Sequence, residues 1–385
     1  MYPIKKLQDC ATIIAGQSPE SKYYNSTGEG IPFFQGKADF GELYPKVRVY
    51  CSSPTKIAQY NDILLSVRAP VGPTNLSPGT VCIGRGLAAI RPDDSLDLKY
   101  LLYYFRYFET QLSAKGTGTT FKAINQKLIK NLEIPIPPLN EQTCIVARIE
   151  ELFSELDKAV DTLKTTKEQL EVYRQAVLKE IFDSVSTTSV HIKDVCLDIK
   201  VGIVIKPTQY YVSENGVPAF RNANVRRGYI NDTDWVMISK EGHQQNCRSE
   251  VHTNDVLISR SGANLGMASV VPARYNGYNA IDVVIAVPDM SKVIPEFLAQ
   301  YTNSPMGRAI VKKNERGAAQ GHLNVSAYAN LPIGVPDLQE QEKLVKQISD
   351  RLSVCDSIEK TVDTALAQAD AMRQSILKQA FKGKI

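Results

Sequence analysis

Asn131-Leu132-Glu133-Ile134-Pro135-Ile136-Pro137-Pro138-Leu139-Asn140-Glu141-Gln142 returns 199 positions later as Asn330-Leu331-Pro332-Ile333-Gly334-Val335-Pro336-Asp337-Leu338-Gln339-Glu340-Gln341. The match continues without a gap, residues 131–182 on 330–381, with 19 of 52 positions identical. A repeat of that size is a duplicated domain, not a solenoid unit. Each copy reads as a globular block of roughly 140 residues followed by one long helix. The expected division is block one at 1–140, helix at 141–185, block two at 186–339 and helix at 340–385.

The helices are read from their spacing. Ile145, Ile149, Leu152, Leu156, Ala159, Leu163, Thr166, Leu170, Tyr173 and Val177 step by 4 and 3 throughout, which is a heptad seam. The second copy gives Leu344, Ile348, Arg351, Cys355, Ile358, Val362, Ala365, Ala369, Met372 and Ile376. Pro137-Pro138 and Pro336 stand before each start, where no helix can already be running. Two such helices in one chain most simply pair as an antiparallel coiled coil, a rod of roughly 60 Å at ~1.5 Å per residue. A second apolar column adjoins the seam at Val146, Phe153 and Val160, and again at Val345 and Leu352. A two-helix coil does not need it. It is assigned either to packing on the helix's own block or to docking of a partner protein.

The blocks share punctuation more than sequence. Gly30-Ile31-Pro32-Phe33-Phe34-Gln35 matches Gly216-Val217-Pro218-Ala219-Phe220-Arg221, and Asn61-Asp62-Ile63-Leu64-Leu65-Ser66 matches Asn254-Asp255-Val256-Leu257-Ile258-Ser259. Short apolar runs bounded by turn residues predict strands. Tyr100–Tyr104 matches Phe297–Tyr301 as a helix, and Asn125 matches Asn324. The predicted class is α+β: two strand-rich blocks with helices, separated by the two-helix coil in a pseudo-two-fold internal repeat. A shared frame with unlike loops predicts one job done on two targets.

Bulk composition is that of a soluble protein, 43% hydrophobic and 22% charged. No signal peptide and no membrane span are expected. The seven cysteines form no C-x-x-C pair and predict reduced thiols in the cytoplasm. His243, Cys247 and His252 make a poor zinc set. Residues 1–140 carry 16 Lys+Arg against 11 Asp+Glu, whereas residues 186–340 carry 15 against 14. That leans towards nucleic acid only weakly.

Taken in order, the Gly-Ile-Pro-Phe run, the Asn-Asp-Val-Leu-Ile-Ser-Arg-Ser-Gly run at 254–262, the Ile-Pro-Ile-Pro-Pro-Leu-Asn-Glu-Gln run and the duplication resemble the specificity subunit of type I restriction–modification systems. The resemblance covers the whole chain. It implies two target recognition domains, each reading half of a split, asymmetric site on double-stranded DNA. It implies that the helices space the two and bind two modification (methyltransferase) subunits, with restriction subunits joining to cleave. S-adenosylmethionine, and ATP and Mg for restriction, would belong to those partners. No cofactor, metal or catalytic residue is expected in this chain.

The residues agree that catalysis lies elsewhere. There is no Gly-x-Gly-x-x-Gly cradle and no Walker loop. Asp93, Asp97 and Lys99 superficially resemble a nuclease set, but the aspartates are too close in sequence to sit on adjacent strands around a metal. The alternatives are a single-chain DNA-modifying enzyme and a coiled-coil scaffold that does not bind DNA.

Base edges are read by Arg, Lys, Asn, Gln, Ser and Thr. In block one the candidates are Gln35, Lys37, Arg68 and Lys122, with Thr117, Thr119 and Thr120. In block two they are Arg221, Asn222, Asn224, Arg226 and Arg227, with Arg260, Gln320 and His322. For each, the competing reading is a solvated side chain or a phosphate contact. The aromatic run Tyr103–Phe108 is assigned to core.

Overall fold

The computed structural model describes residues 2–116, 123–185, 187–314 and 322–384, with side chains described to residue 309 in the third stretch. The chain forms two compact units, residues 1–163 with 364–385 and residues 164–363. Each unit therefore holds one block and parts of both long helices.

In the first unit, Ala11–Ala15, Leu87–Pro92, Ile63–Ser66 and Thr74–Leu76 form an antiparallel sheet in that spatial order. Its Ile63–Ser66 strand is buried along its whole length, as its unbroken apolar run requires. The preceding Asn61 has φ 65°, a left-handed turn that asparagine tolerates. Asp62 then accepts the Gln59 amide at 2.8 Å. A second sheet holds Ile31–Phe34, paired in parallel with Val81–Ile83. Helix α1 (Leu98–Ala114) is capped by Asp97, whose side chain accepts the Tyr100 amide at 2.8 Å. Short α2 (Gln126–Lys130) is capped by Asn125, and α3 spans Leu139–Asp183.

The second unit repeats this plan. Cys196–Val201, Val283–Pro288, Val256–Ser259 and Ala268–Val270 form the equivalent sheet. Val217–Phe220 pairs in parallel with Asn279–Ala280. Asn254 repeats the left-handed turn at φ 74°, and Asp255 accepts the His252 amide at 2.8 Å. Helices α4 (Lys240–Gln245), α5 (Pro295–Asn303) and α6 (Pro305–Asn314) follow. Then come α7 (Val325–Ala329), capped by Asn324, and α8 (Leu338–Ala380). The matched asparagines 125 and 324 are thus both helix caps.

Gln142 and Gln341, the last residues of the quoted repeat, are fully buried. The Gln142 amide donates to Pro137 O (2.8 Å) and Ser95 O (3.0 Å) and accepts from Asp97 N (2.7 Å). Gln341 donates to Pro336 O (2.8 Å) and Lys292 O (2.9 Å) and accepts from Ile294 N (2.8 Å). Each glutamine ties the start of a long helix to the loop that opens α1 or α5. Nothing but an amide of that length satisfies two carbonyls and one N–H at once.

The long helices run antiparallel within each unit. In the second, Lys167 pairs with Asp363 (2.7 Å), Arg174 with Asp356 (2.7 Å) and Glu180 with Arg351 (3.0 Å). In the first, Arg373 pairs with Asp157. Arg174 and Asp356 are the repeat mates of Arg373 and Asp157, so the duplication is written into the ion pairs. Far ends also repeat. Phe182 lies 5.3 Å from Phe297 and 5.4 Å from Tyr301, centroid to centroid. Phe381 lies 5.3 Å from both Tyr100 and Tyr104.

One detail of the predicted seam is corrected. Ile358 and Met372 are 40% and 53% exposed, and Tyr173 is 45% exposed. Their neighbours Glu359, Arg373 and Arg174 are turned inward instead. Along the second helix the rest of the predicted seam holds, with Leu344, Ile348, Cys355, Val362 and Ala369 all buried, and the column beside it packs at the helix roots. Val146 is buried in the first unit's core, and Phe153 packs on it, edge-on to Tyr103 and under Arg373. Val345 and Leu352 pack on the second unit's core, and Val160 is half-buried. Four of the five thus pack on their own block. An apolar column at the root of a helix meets its own block first.

Candidate nucleic-acid interface

In block one the turn after Ile31–Phe34 and the loop after Val81–Ile83 lie side by side, because the two strands are parallel neighbours. Gly84 N donates to Phe34 O at 2.8 Å, and Val67 N to Gly86 O at 2.9 Å. A side chain on Gly86 would start 2.3 Å from the Gln35 carbonyl oxygen, so only glycine permits this approach. The loops frame a groove of about 650 Å³ whose walls include Gln35, Lys37, Arg68 and Arg85. Tyr24 and Phe33 stack along it with centroids 4.7 Å apart. Burial pushes the Tyr24 hydroxyl above its ordinary range, and the Arg85 charge pulls against that rise.

Gln35, Lys37, Arg68 and Arg85 are all exposed. Among the described residues, none of the four side chains makes a hydrogen bond or ion pair. Three of them were expected from the sequence. Arg85 was not, although Gly84-Arg85-Gly86 is a cation between two glycines at a strand-to-strand turn. Thr117, Thr119, Thr120 and Lys122 lie outside the described residues.

The equivalent place in block two is wired shut. Asn222 accepts from Arg260 N (2.6 Å) and Ser259 Oγ (3.0 Å) and donates to Ser261 Oγ (2.8 Å) and Asp282 (3.2 Å). Arg260 donates to Asp282 at 2.9 Å and to Leu323 O at 3.0 Å. Its guanidinium, expected to read a base, is committed inside the protein. Asp282 was also missed; it sits at φ 52°, in the turn that holds Arg85 in block one.

Other block-two candidates divide. Asn224 is fully buried, closing its own loop by accepting from Arg221 N and donating to Asn231 O and Thr233 O, so it touches no ligand. Arg221 donates to Asp234 O at 2.5 Å, and Arg226 to Val225 O at 3.2 Å, both within the 221–234 turn. Arg227 pairs with Glu171 on α3; burial, with the nearby Arg308 charge, lowers it to about 10. His322 is exposed. Gln320 lies outside the described residues.

The nuclease-like set has structural duties. Asp97 caps α1, Asp93 accepts from Ser95, and Lys99 pairs with Glu150 at 2.7 Å. His243 faces Asn279 and Glu250. The aromatic run is core: Tyr104 and Phe105 are buried, and Tyr103, Tyr107 and Phe108 pack on them.

A frame used twice, with a different polar lining each time, is the build of a two-site recognition protein. The family model described as type I restriction modification DNA specificity domain matches residues 2–172 and again 178–368. The chain belongs to that family. It is 42% identical over 167 residues to the putative type I restriction enzyme MjaX specificity subunit of Methanocaldococcus jannaschii, covering 43% of this chain and 38% of that protein. It is 25% identical over 317 residues to the EcoBI specificity subunit of Escherichia coli, covering 76% of this chain and 67% of that one. A chain from a study of assembly and conformational transition in a type I restriction–modification system shares the fold, with TM-score 0.73, 20% identity, and coverage of 100% and 98%.

Proposed function

We propose that this chain is the non-catalytic, DNA-reading subunit of a type I restriction–modification complex, with one half of a bipartite, asymmetric site read by each block. The observation that carries the reading is the repeated strand frame, with a groove lined by Gln35, Lys37, Arg68 and Arg85 in one block and the Asn222–Arg260–Asp282 network at the equivalent place in the other. Unlike linings recognise unlike bases. Double-stranded DNA is the ligand. The partners are modification subunits, two by the symmetry of the duplication, and a restriction subunit where cleavage occurs. S-adenosylmethionine, ATP and Mg belong to them. Among the described residues no helix is long and apolar enough to cross a membrane.

In the second unit Val172, Tyr173, Val354 and Ile358 are exposed apolar residues on the long helices. We assign docking of the modification subunit to this face. The test is footprinting of DNA by this chain with and without its modification subunit. A split protected site in the complex supports the reading. A complex that protects none, or methylation by the chain alone, overturns it.

A further inference from the structure

The first groove is a donor surface. Arg68, Arg85, Lys37 and the amide of Gln35 offer N–H groups with no internal acceptor among the described residues. The nearby Asp39 carboxylate already takes the Gln35 backbone N–H at 2.9 Å, and the Ser66 hydroxyl is buried and donates to Pro70 O at 2.8 Å. Apart from the Gln35 side-chain carbonyl oxygen, the free side-chain groups here are donors, so the ligand edge that meets the cations must present acceptors.

Among base edges in the major groove, guanine alone has that character. It shows O6 and N7 and no donor, whereas adenine and cytosine each show an amino group and thymine one acceptor beside a methyl. Arginine's planar fork fits two such acceptors side by side; lysine's point charge does not. Arg85 is the best placed of the cations. Its loop is locked on both sides by Gly84 N to Phe34 O and Val67 N to Gly86 O, and its own amide donates to Ser18 Oγ at 3.2 Å. The exposed guanidinium therefore projects from a rigid base into the groove.

Resting on the DNA-reading role above, we infer that Arg85 is a specificity-determining residue that reads a guanine in the first half-site. Arg68 and Lys37 flank it. The second block differs because Asp282 occupies the matching turn and turns Arg260 inward. A phosphate is the other acceptor-only ligand, so the test separates the two sources.

The experiment uses the full chain with its modification subunit on a duplex carrying the methylation motif. Each guanine of the first half-site is replaced singly by 7-deazaguanine, which removes N7 and leaves pairing intact. One position is expected to lose roughly five- to hundredfold in affinity, the range of one bidentate base contact. In Arg85→Ala that same replacement is expected to cost nothing further, and the variant accepts any base there. Arg85→Lys is expected to recover binding but not discrimination. A uniform loss in Arg85→Ala with every 7-deaza effect retained makes Arg85 a phosphate contact and overturns the inference, leaving the DNA-reading role standing. Loss of a split motif from the unaltered complex would instead overturn that role.

Discussion

The same place in the same frame is used differently in the two blocks: one keeps its cations for a ligand and the other spends its arginine on itself. Val67 and Arg260 are equivalent residues. Ile124 N donates to Val67 O at 3.0 Å, and Leu323 N to Arg260 O at 2.9 Å. The difference lies in the neighbouring turn, where Arg85 stands in block one and Asp282 in block two. A carboxylate there gives Arg260 an internal partner at 2.9 Å; an arginine there has none. The comparison teaches that a strand frame can be copied while charge within the turn decides whether a side chain is structure or probe.

The largest effects should fall where the blocks are alike. Gln142→Ala leaves one buried N–H and two carbonyls without their partner, and is expected to cost roughly 3 kcal/mol. Gln341→Ala should cost about the same, since its bonds are the same. Chemical denaturation of the full chain with a probe in each block measures both. A large cost at one glutamine and none at the other would break the equivalence of the two frames.

The grooves should then part company. Arg260→Ala is expected to lower the stability of the second block by roughly 1–2 kcal/mol, because it removes a bond to Leu323 O and a partly screened ion pair. Arg85→Ala should leave stability within about 0.5 kcal/mol, as for a surface side chain with no partner. Thermal denaturation distinguishes them, and equal costs would erase the contrast between structure and probe.

The repeat also accounts for what could be read from the sequence. The asparagine caps, the strand after each Asn-Asp turn and the antiparallel helices were legible because each is encoded locally and twice. Arg85 was not, since its role depends on a parallel pairing between segments some 50 residues apart. Asn224 misled for a related reason: a polar residue in a loop looks exposed until the loop closes around it. The seam departs from its predicted residues at Tyr173, Ile358 and Met372, where the neighbouring Arg174 and Arg373 turn in, their stems packing and their heads finding Asp356 and Asp157.

Smaller effects test the rim and the rod. Lys37→Ala should weaken DNA binding alike for all sequences and reduce the salt slope by about one, as for a phosphate contact at the groove mouth. Titration by the complex at several salt concentrations checks it; a change in sequence preference would place Lys37 among the base readers. Asp157→Ala and Asp356→Ala should each cost less than ~1 kcal/mol, since both aspartates are open to solvent. Unequal costs would show that the mated ion pairs are not equivalent.

The most direct test of the account is the methylation motif of a host carrying Gln35→Ala, Lys37→Ala and Arg68→Ala together, compared with the unaltered chain. All three residues line the first groove, and none of their side chains bonds elsewhere among the described residues. The account predicts that the first half-site loses discrimination outside the guanine read by Arg85, while the second keeps every base. Equal loss at both half-sites in a folded, assembled complex, or an unchanged motif, would contradict it.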